Sequence, residues 1–156
     1  TNAPSFDWHI TNLRQYMNAT PVQPTSANWS DLELTPLGSA TGGIGLPGDF
    51  SSPSRFVRVA FLRAQILMED IENDGIIEFF HILNNVAMVK GSVITKDGKD
   101  EITQYSSCMN LEKGLYYYKS YNNNQINMVD MHKEDLDSSE MKIFPYNDIQ
   151  VVNILN

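Results

Sequence analysis

The residues best placed to do chemistry lie between Gly42 and Arg58. A glycine-rich run, Gly42-Gly43-Ile44-Gly45-Leu46-Pro47-Gly48-Asp49, leads through Phe50 and Ser51 into Ser52-Pro53-Ser54-Arg55. Ser52 followed by Pro53 predicts a helix start, with Ser52 as cap and proline at the first helical position. The spacing of Arg55, Val59, Leu62 and Ile66 sets the arginine on the apolar side of that helix, in its first turn. Helix N-termini favour negative charge, so an inward cation there asks for a chemical reason. Gly43-x-Gly45-x-x-Gly48 matches a dinucleotide fingerprint formally, but that motif needs a preceding strand, and Thr35–Thr41 is not strand-like. Asp49 would also set a carboxylate beside a pyrophosphate, so the nucleotide reading is not supported.

The remaining candidates read as structural. Glu78-x-x-His81 resembles half of a di-iron motif, but there is one copy where two are needed, and His81 reads as a hydrogen-bonded packing residue. His132-Lys133-Glu134 lacks the Pro-Cys-x-x-Cys of a zinc deaminase, and His9 has no second ligand nearby in sequence. No metal and no cofactor are expected. Cys108, within Tyr105-Ser106-Ser107-Cys108-Met109, reads as a small packed hydrophobe rather than a nucleophile. Thr1 is a formal N-terminal nucleophile, activated by its own amine. The Glu134-Asp135-Leu136-Asp137 run reads as a solvated turn.

Composition narrows the function classes. The 156 residues are 42% hydrophobic and 19% charged, enough for one globular domain with a real core. With 11 basic against 19 acidic residues the net charge is −8, which argues against a nucleic-acid surface. No apolar run reaches the length of a membrane span. The single cysteine excludes an internal disulfide and fits a reducing, cytoplasmic setting. The chain opens without methionine, and Thr1-Asn2-Ala3-Pro4 reads like the interior of a longer protein.

The elements that must position these residues follow from periodicity. Ser5 caps a first helix whose apolar stripe is Phe6, Ile10, Leu13 and Met17. Residues from Asn18 to about Ser52 carry no sustained pattern beyond an extended hint at Leu32-Glu33-Leu34; such a segment is commonly functional, disordered or an assembly arm. After the Arg55 helix, a third helix follows Asn73-Asp74-Gly75, with a buried stripe of Ile76, Phe79, Phe80, Leu83, Val86 and Ala87, closed by Gly91. Then come strands. Asp97-Gly98 predicts a hairpin between 93–95 and 102–105; Leu115–Tyr121, Ile126–Met131 and Met141–Phe144 complete an antiparallel meander. Helices followed by a meander make an α+β fold.

Several stretches, in order, resemble the choloylglycine hydrolase family of bile salt hydrolases and penicillin V acylases. They are Thr1-Asn2-Ala3-Pro4-Ser5-Phe6-Asp7-Trp8-His9 with Thr11-Asn12-Leu13, Gly45-Leu46-Pro47-Gly48-Asp49-Phe50, and Ser54-Arg55-Phe56-Val57-Arg58. Phe79-Phe80-His81-Ile82-Leu83, Tyr105-Ser106-Ser107-Cys108 and Tyr116-Tyr117-Tyr118 with Gln125-Ile126 continue the likeness to near the chain's end.

The resemblance implies a four-layer αββα N-terminal-nucleophile fold, of which residues 1–156 are the C-terminal part of a single amidase domain. It implies cleavage of an amide C–N bond, in conjugated bile acids or penicillin V, by a mature N-terminal cysteine absent from this chain. Asn2 matches an asparagine that helps hold the oxyanion and the substrate, and Arg55 matches an arginine close to the nucleophile. The implied partners are a small-molecule amide, the N-terminal half of the enzyme and further copies in a homo-oligomer, a homotetramer in which segment 18–50 packs on a neighbour. The alternative for that segment is a loop over its own subunit's site. Leu37–Phe50 leans toward the penicillin acylases and Tyr105–Tyr121 toward the bile salt hydrolases. Two competing readings are a catalytically inert binding or structural fragment of the same fold and an N-terminal-threonine hydrolase; the family match of Thr1 to an internal residue weakens the latter.

Overall fold

The computed structural model describes residues 3–69 and 73–156. It divides into two compact units, Thr1–Asp74 with Asn84–Val86, and Gly75–Leu83 with Ala87–Asn156.

The first unit is built on helices α1 (Phe6–Leu13) and α2 (Ser52–Gln65). Ser5 caps α1 as expected, its Oγ accepting from the Trp8 amide at 3.4 Å. The face of α1 differs from expectation. Phe6, Ile10 and Met17 are 65%, 43% and 77% exposed, while His9 is fully buried. Asn12, Leu13 and Tyr16 are half-buried beside it, so the inward face is turned by roughly 80° from the apolar stripe, at about 100° per residue. The reason is aromatic packing: the His9 ring stacks on Phe56 of α2 at 4.4 Å, and Phe6 meets the same ring edge-on at 6.0 Å. Val57, 1% exposed, completes this small core.

The segment between the helices holds more structure than its composition predicts. Strands β1 (Ala27–Trp29) and β2 (Leu32–Leu34) pair antiparallel, Trp29 opposite Leu32, around a two-residue turn in which Ser30 takes φ 52°. A 3-10 turn at Thr41–Gly43 follows.

The second unit contains most of α3 (Asn73–Asn84) and the sheet β3 (Tyr105–Asn110), β4 (Leu115–Ser120) and β5 (Asn127–Asp130), a meander in the order β3-β4-β5. Cys108 lies opposite Tyr117, and Tyr116 opposite Val129. Tyr117 and Lys119 share one face of β4, with the Lys119 ammonium 5.8 Å from the ring centre of buried Phe80. Tyr116 and Tyr118 share the other face, where Tyr118 stacks on Tyr146. The three α-helices and the meander agree with the α+β expectation.

Three local expectations fail. Helix α3 stops at Asn84 instead of running toward Gly91, and Phe79 is 41% exposed. The Asp97-Gly98 turn closes with a single Ile94–Asp100 bridge, because Thr103 is bonded to Met88 through both its amide and its hydroxyl. Met141–Phe144 forms no strand. The chain beyond it is tied down by side chains instead: the Asn147 carbonyl accepts from Ser120 Oγ and from the amide of fully buried Asn123, and Asn122 Nδ2 donates to Asp148 at 2.6 Å.

Candidate active site

The junction between the glycine-rich loop and α2 is fixed from both sides. Gly42 is needed for contact: its carbonyl accepts from the Thr20 amide at 3.1 Å, and a Cβ there would fall on the Thr20 and Val22 carbonyl oxygens. Gly45 takes φ +97°, a conformation that suits glycine. Neither is a phosphate cradle. No strand runs directly into the loop, residues 35–41 being non-strand, and the start of α2 is already occupied by the carboxylate of Asp49.

Asp49 ties down the start of α2 from two residues ahead of its N-cap. Its Oδ1 accepts from the Ser51 amide at 2.8 Å, and its Oδ2 from the Ser54 hydroxyl at 2.5 Å. The Ser51 hydroxyl and amide, with the Ser54 hydroxyl, hold the Asp49 carboxyl down to about 2, so it is charged at neutral pH. This corrects the assignment of Ser52 as cap: Ser51 holds the N-cap position, its Oγ donating to Ser54 Oγ at 3.1 Å rather than accepting from a helix amide, Ser52 is helical, and Pro53 is the second helical residue.

Arg58, one turn further along α2, binds the loop back. Its Nη1 donates to the Pro47 and Asp49 carbonyls, both at 2.8 Å, and its Nε to the Asn85 carbonyl at 3.3 Å. Sequence reasoning gave Arg58 no role. The signal was available as an accounting question: a loop without strand partners needs donors for its carbonyls, and a side-chain donor one turn into the next helix can supply them.

Arg55 is the opposite case. It is half-buried on α2, flanking the Ser54–Val57 line that turns fully inward, and its backbone amide donates to Ser51 O at 3.0 Å. Its Nε is shut off from solvent and meets no hydrogen-bond acceptor, and its guanidinium makes no ion pair among the described residues. A desolvated, uncommitted donor of fixed charge is a poor element of stability and a good partner for an anion. The helix start that carries it is rigidly braced by Asp49 and Arg58.

Asn2 and Thr1 lie outside the described residues, so Arg55 is the one expected site residue whose surroundings can be read. His9 is a packing residue. His81 and His132 are exposed, which corrects the reading of His81 as packed. Cys108 is a half-buried thiol in β3, pushed up by burial and so a weaker source of thiolate. Among the described residues no group of three or more His, Cys, Asp or Glu side chains is placed to hold a metal ion, and no helix is long and apolar enough to cross a membrane.

Comparisons with known proteins bear on this arrangement. Residues 1–144 match the family model for linear amide C–N hydrolases of the choloylglycine hydrolase family. The chain is 53% identical over its whole length to a bile salt hydrolase/transferase from Clostridium perfringens, covering 47% of that protein. It is 42% identical over 93% of its length to a bile salt hydrolase/transferase from Lactiplantibacillus plantarum, covering 45% of it. It therefore spans about half the length of the curated relatives it matches. Its backbone is similar to the crystal structure of a mutant conjugated bile acid hydrolase from Clostridium perfringens, with a TM-score of 0.90 and 52% identity over 99% of this chain and 47% of that one. A penicillin V acylase from Agrobacterium tumefaciens shares the fold, with a TM-score of 0.59 and 22% identity over 85% of this chain and 35% of that one.

Proposed function

The chain belongs to the choloylglycine hydrolase family of linear amide C–N hydrolases, and on that premise we propose that it is the C-terminal part of an N-terminal-cysteine amidase acting on conjugated bile acids. The preference for bile acids over penicillin V is supported by relatives named bile salt hydrolases at 53% and 42% identity. The acylase likeness, at 22%, speaks for the fold alone.

In this reading the nucleophilic cysteine opens the N-terminal half, and its own α-amine takes the thiol proton. The thiolate attacks the amide carbonyl, the amine leaves with that proton, and water then releases the bile acid from the thioester. Asn2 donates its side-chain amide to the developing oxyanion, a contact that typically lowers a barrier by about 3 kcal/mol. Arg55 stands beside the thiolate and favours it by opposite charge. The observation that carries this reading is the dry, uncommitted Nε of Arg55 on a braced helix start. No histidine is required, in keeping with the packing role of His9 and the exposure of His81 and His132.

The N-terminal half completes a four-layer αββα fold. The exposed Phe6, Ile10 and Met17 of α1, and the exposed Ile149, Val152, Ile154 and Leu155 near the chain's end, supply apolar surface for it to cover. The β1–β2 hairpin presents Trp29 at 73% and Leu32 at 59% exposure, which suits contacts between subunits of a homo-oligomer. The enzyme works in the cytoplasm.

The test is glycocholate hydrolysis by the full-length protein. Arg55→Ala is expected to lower kcat by roughly 100-fold and Arg55→Lys by less, since a lysine keeps the charge but not the fork. Unchanged kcat in Arg55→Ala would remove Arg55 from the site.

A further inference from the structure

The Arg55 side chain has no hydrogen bond to orient it among the described residues, so its direction follows from the backbone that carries it and the side chains packed around it. That backbone is set at the loop–helix junction, and the junction is closed by one side chain. Arg58 gathers the Pro47 and Asp49 carbonyls on a single nitrogen, at 2.8 Å each, and reaches the Asn85 carbonyl with Nε. The Asp49 residue whose carbonyl it grips is the same residue whose carboxylate accepts from the Ser51 amide and the Ser54 hydroxyl at the helix start. Arg55 follows Ser54 directly, and its amide donates to the Ser51 carbonyl. The brace and the cation thus share one short covalent path.

We infer that Arg58 is a positioning residue for Arg55: by holding Pro47 and Asp49 against α2 it fixes where the Arg55 guanidinium stands in the amidase site. This rests on the placement of Arg55 beside the nucleophile proposed above. Arg58 sits at the seventh position of α2, one turn past Ser54. The carbonyl fork gives Arg58 a reason to be there that does not involve substrate. Small displacements of a catalytic group cost rate steeply, about 100-fold for 1 Å, and substitution of residues that orient a ligating group commonly costs 10- to 100-fold.

The experiment uses the full-length protein carrying Arg58→Ala, Arg58→Lys, Arg55→Ala and the double variant Arg55→Ala/Arg58→Ala. Glycocholate kcat and KM are measured per reactive N-terminal cysteine, counted by mass after alkylation. Arg58→Ala is expected to lower kcat by about 10- to 100-fold while KM changes by less than about threefold. Arg58→Lys, which keeps the charge but cannot reach all three carbonyls, is expected to fall between and serves as the folded variant if the alanine form fails to accumulate. The double variant is expected to be no slower than Arg55→Ala alone, because a misplaced Arg55 and an absent one are equivalent. If Arg58→Ala or Arg58→Lys keeps parental kcat per cysteine while merely melting lower, Arg58 is structural and the inference is overturned. Multiplicative losses in the double variant overturn it equally. If Arg55→Ala itself keeps parental kcat, the reading of Arg55 fails and this inference falls with it.

Discussion

Arg55 and Arg58 stand three residues apart on one helix and are in opposite chemical states. Arg58 donates to three backbone carbonyls, whereas the Nε of Arg55, shut off from water, meets no acceptor. The same residue type therefore serves as brace and as uncommitted cation within a single turn. Arginine's fixed charge and planar fork suit both tasks, and lysine would serve each less well.

The uncommitted cation has a direct chemical readout. In the full-length protein, the N-terminal cysteine is expected to alkylate with a pH midpoint raised by about one unit when Arg55 is replaced by alanine, as removal of a neighbouring positive charge requires. Iodoacetamide rates across pH 5 to 9 measure it. An unmoved midpoint would separate Arg55 from the thiolate.

Asp49 links stability to acid. Its carboxyl is held at about 2 in the folded chain against about 3.9 unfolded, so its contribution is complete above the unfolded value and is lost as pH falls through the folded one. The melting-temperature gap between parent and Asp49→Ala should be constant from neutral pH to about 5 and should close on further acidification toward about 2. A gap that widens on acidification would contradict this role of the Asp49 carboxylate.

Gly42→Ala sets a methyl against the Thr20 and Val22 carbonyls, which are backbone and cannot swing aside. A loss of about 1–3 kcal/mol in urea unfolding is expected. Gly48→Ala, where a Cβ meets nothing within 4 Å, is the matched control and should be near neutral.

Cys108 offers the converse of the reactive cysteine. Burial raises its thiol, so it should alkylate more slowly than free cysteine at neutral pH, and Cys108→Ala should leave glycocholate turnover intact. Rapid labelling at Cys108, followed by mass spectrometry, would contradict this.

Where local rules act alone, the residues announce the fold. Ser5 caps α1, and the aromatic run at Leu115–Ser120 with the Asn122-Asn123-Asn124 turn marks a meander. Where tertiary packing competes, they do not. The α1 face is decided by a histidine stacked on Phe56, which an apolar stripe does not reveal, and the β1–β2 hairpin turns on Ser30-Asp31 with few β-branched residues to signal it. Arg55 was legible because a cation on the apolar side of a helix start is anomalous. Arg58 was not, because its partners are carbonyls of a loop whose path only the folded chain defines. The expectation of a cysteine nucleophile outside this chain rests on family likeness alone.

We propose above that this chain supplies the cation-bearing half of an amidase whose cysteine lies in the other half. Glycine release from glycocholate, measured side by side for the full-length protein and for residues 1–156 alone, tests it most directly. Turnover is expected from the full-length protein and none from residues 1–156. Turnover by residues 1–156 alone, or a full-length protein that leaves glycocholate intact, would contradict it.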